Sequence, residues 1–354
     1  MKKSDKKQKI KPTIACVDLF CGAGGLTHGL LQGGVDVRAG IDIDPASKYP
    51  YEENNNSLFL EKNIKHLSAT EIKSYFEGAD YCLLAGCAPC QPFSTYSQGK
   101  RELDGGKWSL LKSFGKLVGE LKPDFVTMEN VPQLSNHPVY KSFLKNLDGY
   151  HTWVGTVQCP QYGIPQTRKR FVLLASRLGP IDLLAPTHDE DSFVSVKDAI
   201  GALPKIKAGG TSGKDALHTA PKLSELNMRR IKQSKPGGTW RDWDDELVAE
   251  CHKKLTGATF PSVYGRMIWG KPAPTITTQC FGYGNGRFGH PVQNRAISLR
   301  EAAIFQTFPE TYKFIPKGDK PRFSTLGRLI GNAVPVRLGE VIAESFFLHL
   351  RNVA

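Results

Sequence analysis

The chain is expected to be an α/β protein of two domains, with a parallel sheet in one and a smaller, loop-rich second domain. Three observations predict this. From Pro12 to about Ala175, short apolar and β-branched runs alternate with helix-like segments, the texture of a parallel sheet. A glycine-rich turn follows the first of those runs. From Pro180 to about Asn294 the periodicity fades, and Gly209-Gly210, Gly237-Gly238, Trp240, Trp243 and Trp269 stand among many Thr and Pro.

In order, Ile14–Phe20 reads as the first strand and Leu26–Leu31 as an amphipathic helix after the turn. Val37–Ile43 is the second strand, with Tyr81–Ala85, Asp124–Met128 and Arg170–Ser176 as later ones. Leu299–Phe305 and Pro335–Leu350 return to helical spacing. The boundaries follow: residues 1–11 a flexible tail, 12–180 a catalytic and ligand-binding domain, 181–296 the loop-rich domain, and 297–354 a return to the first. A hydrophobic content of 40% in 354 residues is enough for such a core. No apolar run is long enough to cross a bilayer, and the lysine-rich start lacks a secretion signal's apolar centre. Eight scattered cysteines suit reduced thiols in a cytoplasm. The formal charge of +13 favours a polyanionic partner, and the tail holds only six of the 47 basic residues.

Asp18-Leu-Phe-Cys-Gly22-Ala-Gly24-Gly25-Leu-Thr27 lies between strand and helix, where a tight turn lets a ligand approach the backbone. Thr27 stands where a dinucleotide fingerprint has its third glycine, which a ligand without a pyrophosphate explains. Asp42, eighteen residues past Gly24, is placed to bind a ribose diol. S-adenosylmethionine fits both. Farther on, Gly86-Cys-Ala-Pro-Cys90-Gln-Pro-Phe-Ser94 presents a thiol between prolines at a strand end, as a nucleophile is presented. Read alone, Cys87-x-x-Cys90 also fits half a zinc site or a redox pair. No second CxxC or histidine pair answers it, so no metal is expected.

This stretch resembles the catalytic loop of the cytosine-5 DNA methyltransferases, and five further segments resemble that family in order, from Asp18 to about Gly339. The resemblance implies a Rossmann-like sheet dependent on S-adenosylmethionine, a target-recognition domain, and S-adenosylhomocysteine as product. It implies Cys90 as the sulfur that adds to cytosine C6. Glu129, in Met128-Glu-Asn-Val131, matches the family's acid, which protonates N3 and whose partial burial is expected to keep it protonated. Gln166-Thr-Arg168-Lys-Arg170 matches the basic motif, with Arg168 bracing the base and Glu129, and Arg170 holding the site's architecture. Phe20 would lie on the adenine, Gly22 and Gly24 at the backbone approach, Asp42 on the ribose, and Leu110 and Asn332 against the cofactor. Asn63 stands where the family often has an acid facing the adenine amine, and its amide oxygen can accept that bond.

Pro89, Gln91, Ser94, Gln166 and Thr275 are the residues the resemblance sets against the DNA. The target base must leave the duplex to be reached, and Gln91–Lys107 is expected to be a flexible segment that closes over it. Arg229, Arg230, Arg241, Arg266 and Arg287 are candidates for phosphate or base-edge contacts. Asn294-Arg295 and Leu299–Pro309 resemble a motif that organises the recognition domain. The expected partner is double-stranded DNA met by a monomer, with no membrane. Compactness suggests a restriction–modification enzyme, whose cognate restriction endonuclease would share the site without being required in complex. Methylation of tRNA, a DNA-binding module without catalysis, and a redox protein using Cys87 and Cys90 are the rival readings. Cys280-Phe281 echoes the tRNA-modifying branch, but Gly282 breaks that match.

Overall fold

The computed structural model describes residues 12–89, 105–254, 256–257 and 259–353. The first strand, β1 (Ile14–Leu19), is buried along its whole length, as a central strand covered on both faces must be. Then come α1 (Gly25–Gln32), β2 (Asp36–Asp42), α2 (Lys48–Asn54), β3 (Leu58–Glu61) and α3 (Ala69–Lys73). Next are β4 (Tyr81–Gly86), α4 (Gly105–Leu121), β5 (Phe125–Asn130) and α5 (Pro138–Leu144). The hairpin strands β6 (His151–Gln158) and β7 (Lys169–Ser176) complete the sheet.

The strand order is β3-β2-β1-β4-β5-β7-β6. β1 to β5 run parallel, but β7 pairs antiparallel with both β5 and β6, so the expected parallel sheet is mixed. The reason is local: the 159–168 link between β6 and β7 is too short for a crossover, which needs a dozen or more residues. β3 and β6 are strands that the apolar runs did not reveal. Leu58 is exposed on β3, and β6 buries only Val157 fully, so neither carries a continuous apolar signal.

Apolar layers cover both faces. One joins β1, β4 and β7 to α1 and to the last helix through Leu26, Leu30, Leu338, Ile342 and Phe346. The other packs Val17, Leu84, Val126 and Leu173 against Leu111, Phe114 and Phe143 of α4 and α5. Beyond β7 the α-helices among the described residues are α6 (Val196–Ile200), α7 (Glu225–Gln233) and α8 (Glu250–Lys253), then α9 (Leu299–Phe305), α10 (Phe323–Asn332) and α11 (Val336–Val353). The loop-rich texture of 181–296 is thus real. Yet one core cluster joins Val196, Leu217, Met267 and Ile276 from it to α9 and α10. No described helix is long and apolar enough to cross a membrane.

Candidate active site

The carboxyl ends of β1, β2 and β4 open on a cavity of about 410 Å³ lined by Phe20, Gly22, Asp42, Asn63, Ile64, Cys87, Pro89, Leu110 and Asn332, among others. Every sequence-expected cofactor residue but Gly24 is on that wall. β1 stops at Leu19, and Phe20 takes a positive φ of 62°, which few side-chain-bearing residues adopt. That reversal turns its ring to the cavity. Gly22, with φ 52°, has open space where a Cβ would stand. Gly24, with φ 85°, caps α1, and a Cβ there would meet the Asn55 amide at 2.7 Å. Its work is packing beneath the turn.

Asp42 accepts from the Gly22 and Asp44 amides, both at 2.9 Å, with its carboxyl facing the cavity. Burial pushes its pKa up, and those two amides partly oppose the rise. Asn63 caps the short turn after β3 by accepting from the Lys65 amide at 3.0 Å. Asp18, in the cavity wall, is buried and takes a 2.7 Å hydrogen bond from the Thr27 hydroxyl. Thr27 thus replaces the absent glycine with a bond from α1 to β1. The other Asp18 oxygen has no hydrogen-bond partner among the described residues. Burial holds this carboxyl up at about 7. Ile43, 64% exposed, adds an apolar wall. Sequence reading assigned no role to Asp18 or Ile43, although each adjoins a motif residue.

The residues fit S-adenosylmethionine. Asp42 offers acceptors to a diol, while Phe20, Ile43 and Ile64 offer apolar surface to a ring. The Asp18 carboxyl offers a counter-charge to a cation.

Beside this cavity lies the acid. Glu129 is the fifth residue of β5, not a residue beyond it, and only 2% exposed. One oxygen lies 2.6 Å from Arg170 Nε, and the other accepts from the Cys87 thiol at 2.8 Å. The next residue, Asn130, donates to the Ala88 carbonyl at 2.9 Å. Two successive side chains of β5 therefore hold the turn leading into residue 90. Cys90, Gln91 and Ser94 lie outside the described residues, as do residues 1–11 and most of the expected closing segment. The end of that segment, Gly105–Lys107, is already the first turn of α4.

Of the two arginines, it is Arg170 and not Arg168 that pairs with Glu129. Glu129 pairs with Val172 across the sheet, so Arg170, two residues earlier, projects to the same face within reach of the carboxyl. Arg168 lies before β7, and its guanidinium donates to the carbonyls of Ile276 (2.9 Å), Gly331 and Ala333 (both 3.3 Å). It is 2% exposed and holds architecture. Gln166 is also corrected: it is fully buried, and its amide serves Phe305 O, Gln306 Oε1 and the Ile276 amide. No atom of it is left to face DNA. Thr275 is half-buried, with its hydroxyl on the Thr167 carbonyl at 3.2 Å.

Among the recognition arginines, Arg230 is buried between Trp243 and Tyr264 and donates to the Leu247 carbonyl. Arg266 is buried on the carbonyls of Ile231, Ser234, His290 and Gln293. Both are internal ties, with no guanidinium face turned to DNA. Arg287 is half-buried on the Gly238 carbonyl. Arg229, ion-paired with Glu246, and Arg241, over the Trp240 ring, are exposed. Arg295 is fully buried in a bidentate pair with Glu301, consistent with an organising role for that motif. Among the described residues no group of three metal-ligating side chains occurs.

Comparison with known proteins adds the family. Residues 14–347 match the family described as C-5 cytosine-specific DNA methylase. The chain is 52% identical over 336 residues to a Type II methylase, M.HgiDII of Herpetosiphon aurantiacus, covering 94% of each chain. It is 29% identical to the Type II methyltransferase M1.BsuMI of Bacillus subtilis (strain 168), covering 97% of this chain and 82% of that one. Among solved structures, an E. coli prophage protein assigned as a DNA modification methyltransferase superposes with a TM-score of 0.73 at 22% identity. That match covers 96% of this chain and 100% of the other. The S. pombe Dnmt2 methyltransferase superposes at 0.57 with 18% identity, covering 96% of this chain and 99% of that one. These two likenesses bear on the fold.

Proposed function

Because the chain belongs to the C-5 cytosine-specific DNA methylase family, we propose that it moves a methyl group from S-adenosylmethionine to C5 of one cytosine in a short duplex sequence. It would act as the modification enzyme of a restriction–modification system. One observation carries the mechanism. The turn leading to Cys90 is tied to Glu129 and Asn130 at the wall of the cavity that fits the cofactor.

Cytosine C5 is a poor nucleophile until the ring is activated. The Cys90 thiolate adds to C6 of an extruded base, and the displaced electron pair is relieved by a proton that Glu129 delivers to N3. Bound in the cavity, S-adenosylmethionine supplies the electrophilic methyl that the activated C5 takes up. Arg170 holds the Glu129 carboxyl while its proton is away, because the charge then left on a buried acid needs a partner. Loss of the C5 proton to water expels the Cys90 thiolate and restores the aromatic ring. The N3 proton returns to Glu129.

The test is bisulfite sequencing of plasmid DNA from cells making the protein. Protected cytosines confined to one short motif are expected, and Cys90→Ser should abolish protection while DNA binding persists. Complete conversion in the presence of folded wild-type protein would refute the reading.

A further inference from the structure

We infer that Cys87 is a positioning residue whose thiol orients the Glu129 carboxyl for proton transfer to the target base. The inference rests on the cytosine reading above and adds to it a second thiol with its own task. Glu129 is gripped from two elements at once. Arg170, from β7, stands at one oxygen, and Cys87, from the turn after β4, donates to the other at 2.8 Å. Torsion about the last bond of a glutamate is broad, so a single donor leaves the carboxyl plane loosely defined. The Arg170 charge beside one oxygen and a directional donor on the other define it.

The Cys87 side is itself anchored. Its amide donates to the Leu19 carbonyl at 3.2 Å, and the Ala88 carbonyl accepts from Asn130. The thiol is therefore placed by β1 and β5, on either side of β4. Cys87 is half-buried and also lines the cofactor cavity. One small side chain thus touches both the acid and the space where the methyl donor fits. The bond needs an S–H that stays protonated, and nothing is transferred through it. That separates this role from a redox pair with Cys90, which consumes both thiols.

The experiment uses the full chain, S-adenosylmethionine, and a duplex oligonucleotide with 5-fluorodeoxycytidine at the mapped target. The rate of covalent adduct formation is read for wild type, Cys87→Ala and Cys87→Ser, alongside cofactor affinity and melting temperature. Cys87→Ala should slow adduct formation about tenfold or more, the scale of one lost hydrogen bond to a charged group. The rates are compared at saturating S-adenosylmethionine, so that a change of affinity at this cavity-lining residue does not enter them. Cys87→Ser, which keeps a donor, should restore most of the lost rate. In a Glu129→Gln background, Cys87→Ala should add little further loss. Should Cys87→Ala fail to fold, Cys87→Ser with the Glu129→Gln cycle gives the same decision. A wild-type rate in Cys87→Ala overturns the inference alone, and so does Cys87→Ser as slow as Cys87→Ala. Failure of the wild type to form any adduct instead removes the cytosine reading beneath it.

Discussion

Glu301→Ala is the substitution whose cost the structure defines best. Both oxygens of Glu301 accept from Arg295 at 2.7 Å, and one also accepts from the Ser298 amide. Arg295 is fully buried and Glu301 is 1% exposed, so the guanidinium left behind stays out of bulk water. Burial pushes the Glu301 carboxyl up, but the bonds and charge of Arg295 outweigh it and leave the group below the usual range. Deleting one member of a buried pair costs about 3–5 kcal/mol, because the remaining charge stays buried. With an unfolding entropy of ~0.7 kcal/mol/K for a chain this long, melting should fall by about 4–7 °C. Scanning calorimetry reads this directly. Arg295→Met combined with Glu301→Leu should lose less than either single change, because both charges leave together. Glu301→Ala melting within about 1 °C of wild type would refute the reasoning. The sign in pH is fixed by the depressed carboxyl. Its contribution is complete above the unfolded value and is lost as pH falls through the folded one.

The remaining predictions concern the site and its acid response. Arg170→Gln should depress single-turnover methylation in enzyme that is still folded, whereas Arg168→Gln should act mainly by lowering melting by several degrees. Equal effects on both readouts would contradict this division of roles. Asp18, held at about 7 by burial, is neutral below that pH and charged above it. Affinity for cationic S-adenosylmethionine should therefore rise with pH from 6 to 8 by calorimetric titration, while that for uncharged-sulfur S-adenosylhomocysteine rises less; parallel profiles would exclude Asp18 as the counter-charge. His290 is pushed down to about 4, chiefly by burial, and its Nδ1 accepts from the Val292 and Gln293 amides. Between pH 6.5 and 4 the unfolded chain binds a proton that folded His290 refuses, so urea stability should decline across that window, and His290→Gln should flatten the decline.

What was legible in the sequence was what local chemistry marks. The buried run Ile14–Leu19, the turn with Gly22 and Gly24, and the acid Glu129 each announce themselves by residue type beside a strand. What was not legible depends on pairing across the chain. Arg168 and Arg170 have the same side chain, two residues apart, and only the antiparallel register of β7 on β5 decides which meets Glu129. Gln166 looks like a surface amide in a basic run, yet its partners lie about 110 and 140 residues away. β3 and β6 escaped because edge strands with exposed faces lack a continuous apolar pattern. The buried arginines of the loop-rich region escaped for a related reason. Backbone carbonyls, which leave no mark in a sequence, are the main partners of Arg266.

Those carbonyl partners also explain why a site built on the first 130 residues needs the last 60. Arg168 donates to carbonyls of two separate segments, at Ile276 and at Gly331 and Ala333. Gln306 donates to Ile330 and Ala333 and accepts from Gln166. Tyr312 donates to the Ala23 carbonyl at 2.6 Å, beneath the glycine turn, and Arg328 pairs with Asp44 on the cavity wall. Asn332, Ala333 and Val334 are then cavity wall, and Ala333 belongs to the carbonyl frame as well. The segment that closes the cofactor cavity is thus held by Arg168 and Gln306, while Ile276, next to Thr275, is held by Arg168 and Gln166. A cofactor that orders this segment will order the Thr275 strip with it, because Arg168 bonds to both and Gln306 is linked to Ile276 through Gln166. Hydrogen exchange provides the check. Cofactor alone, without DNA, should slow exchange at the Ile276 amide, which donates to Gln166, as well as at residues 330–334. Protection confined to 330–334 would show that the frame does not couple the two sites.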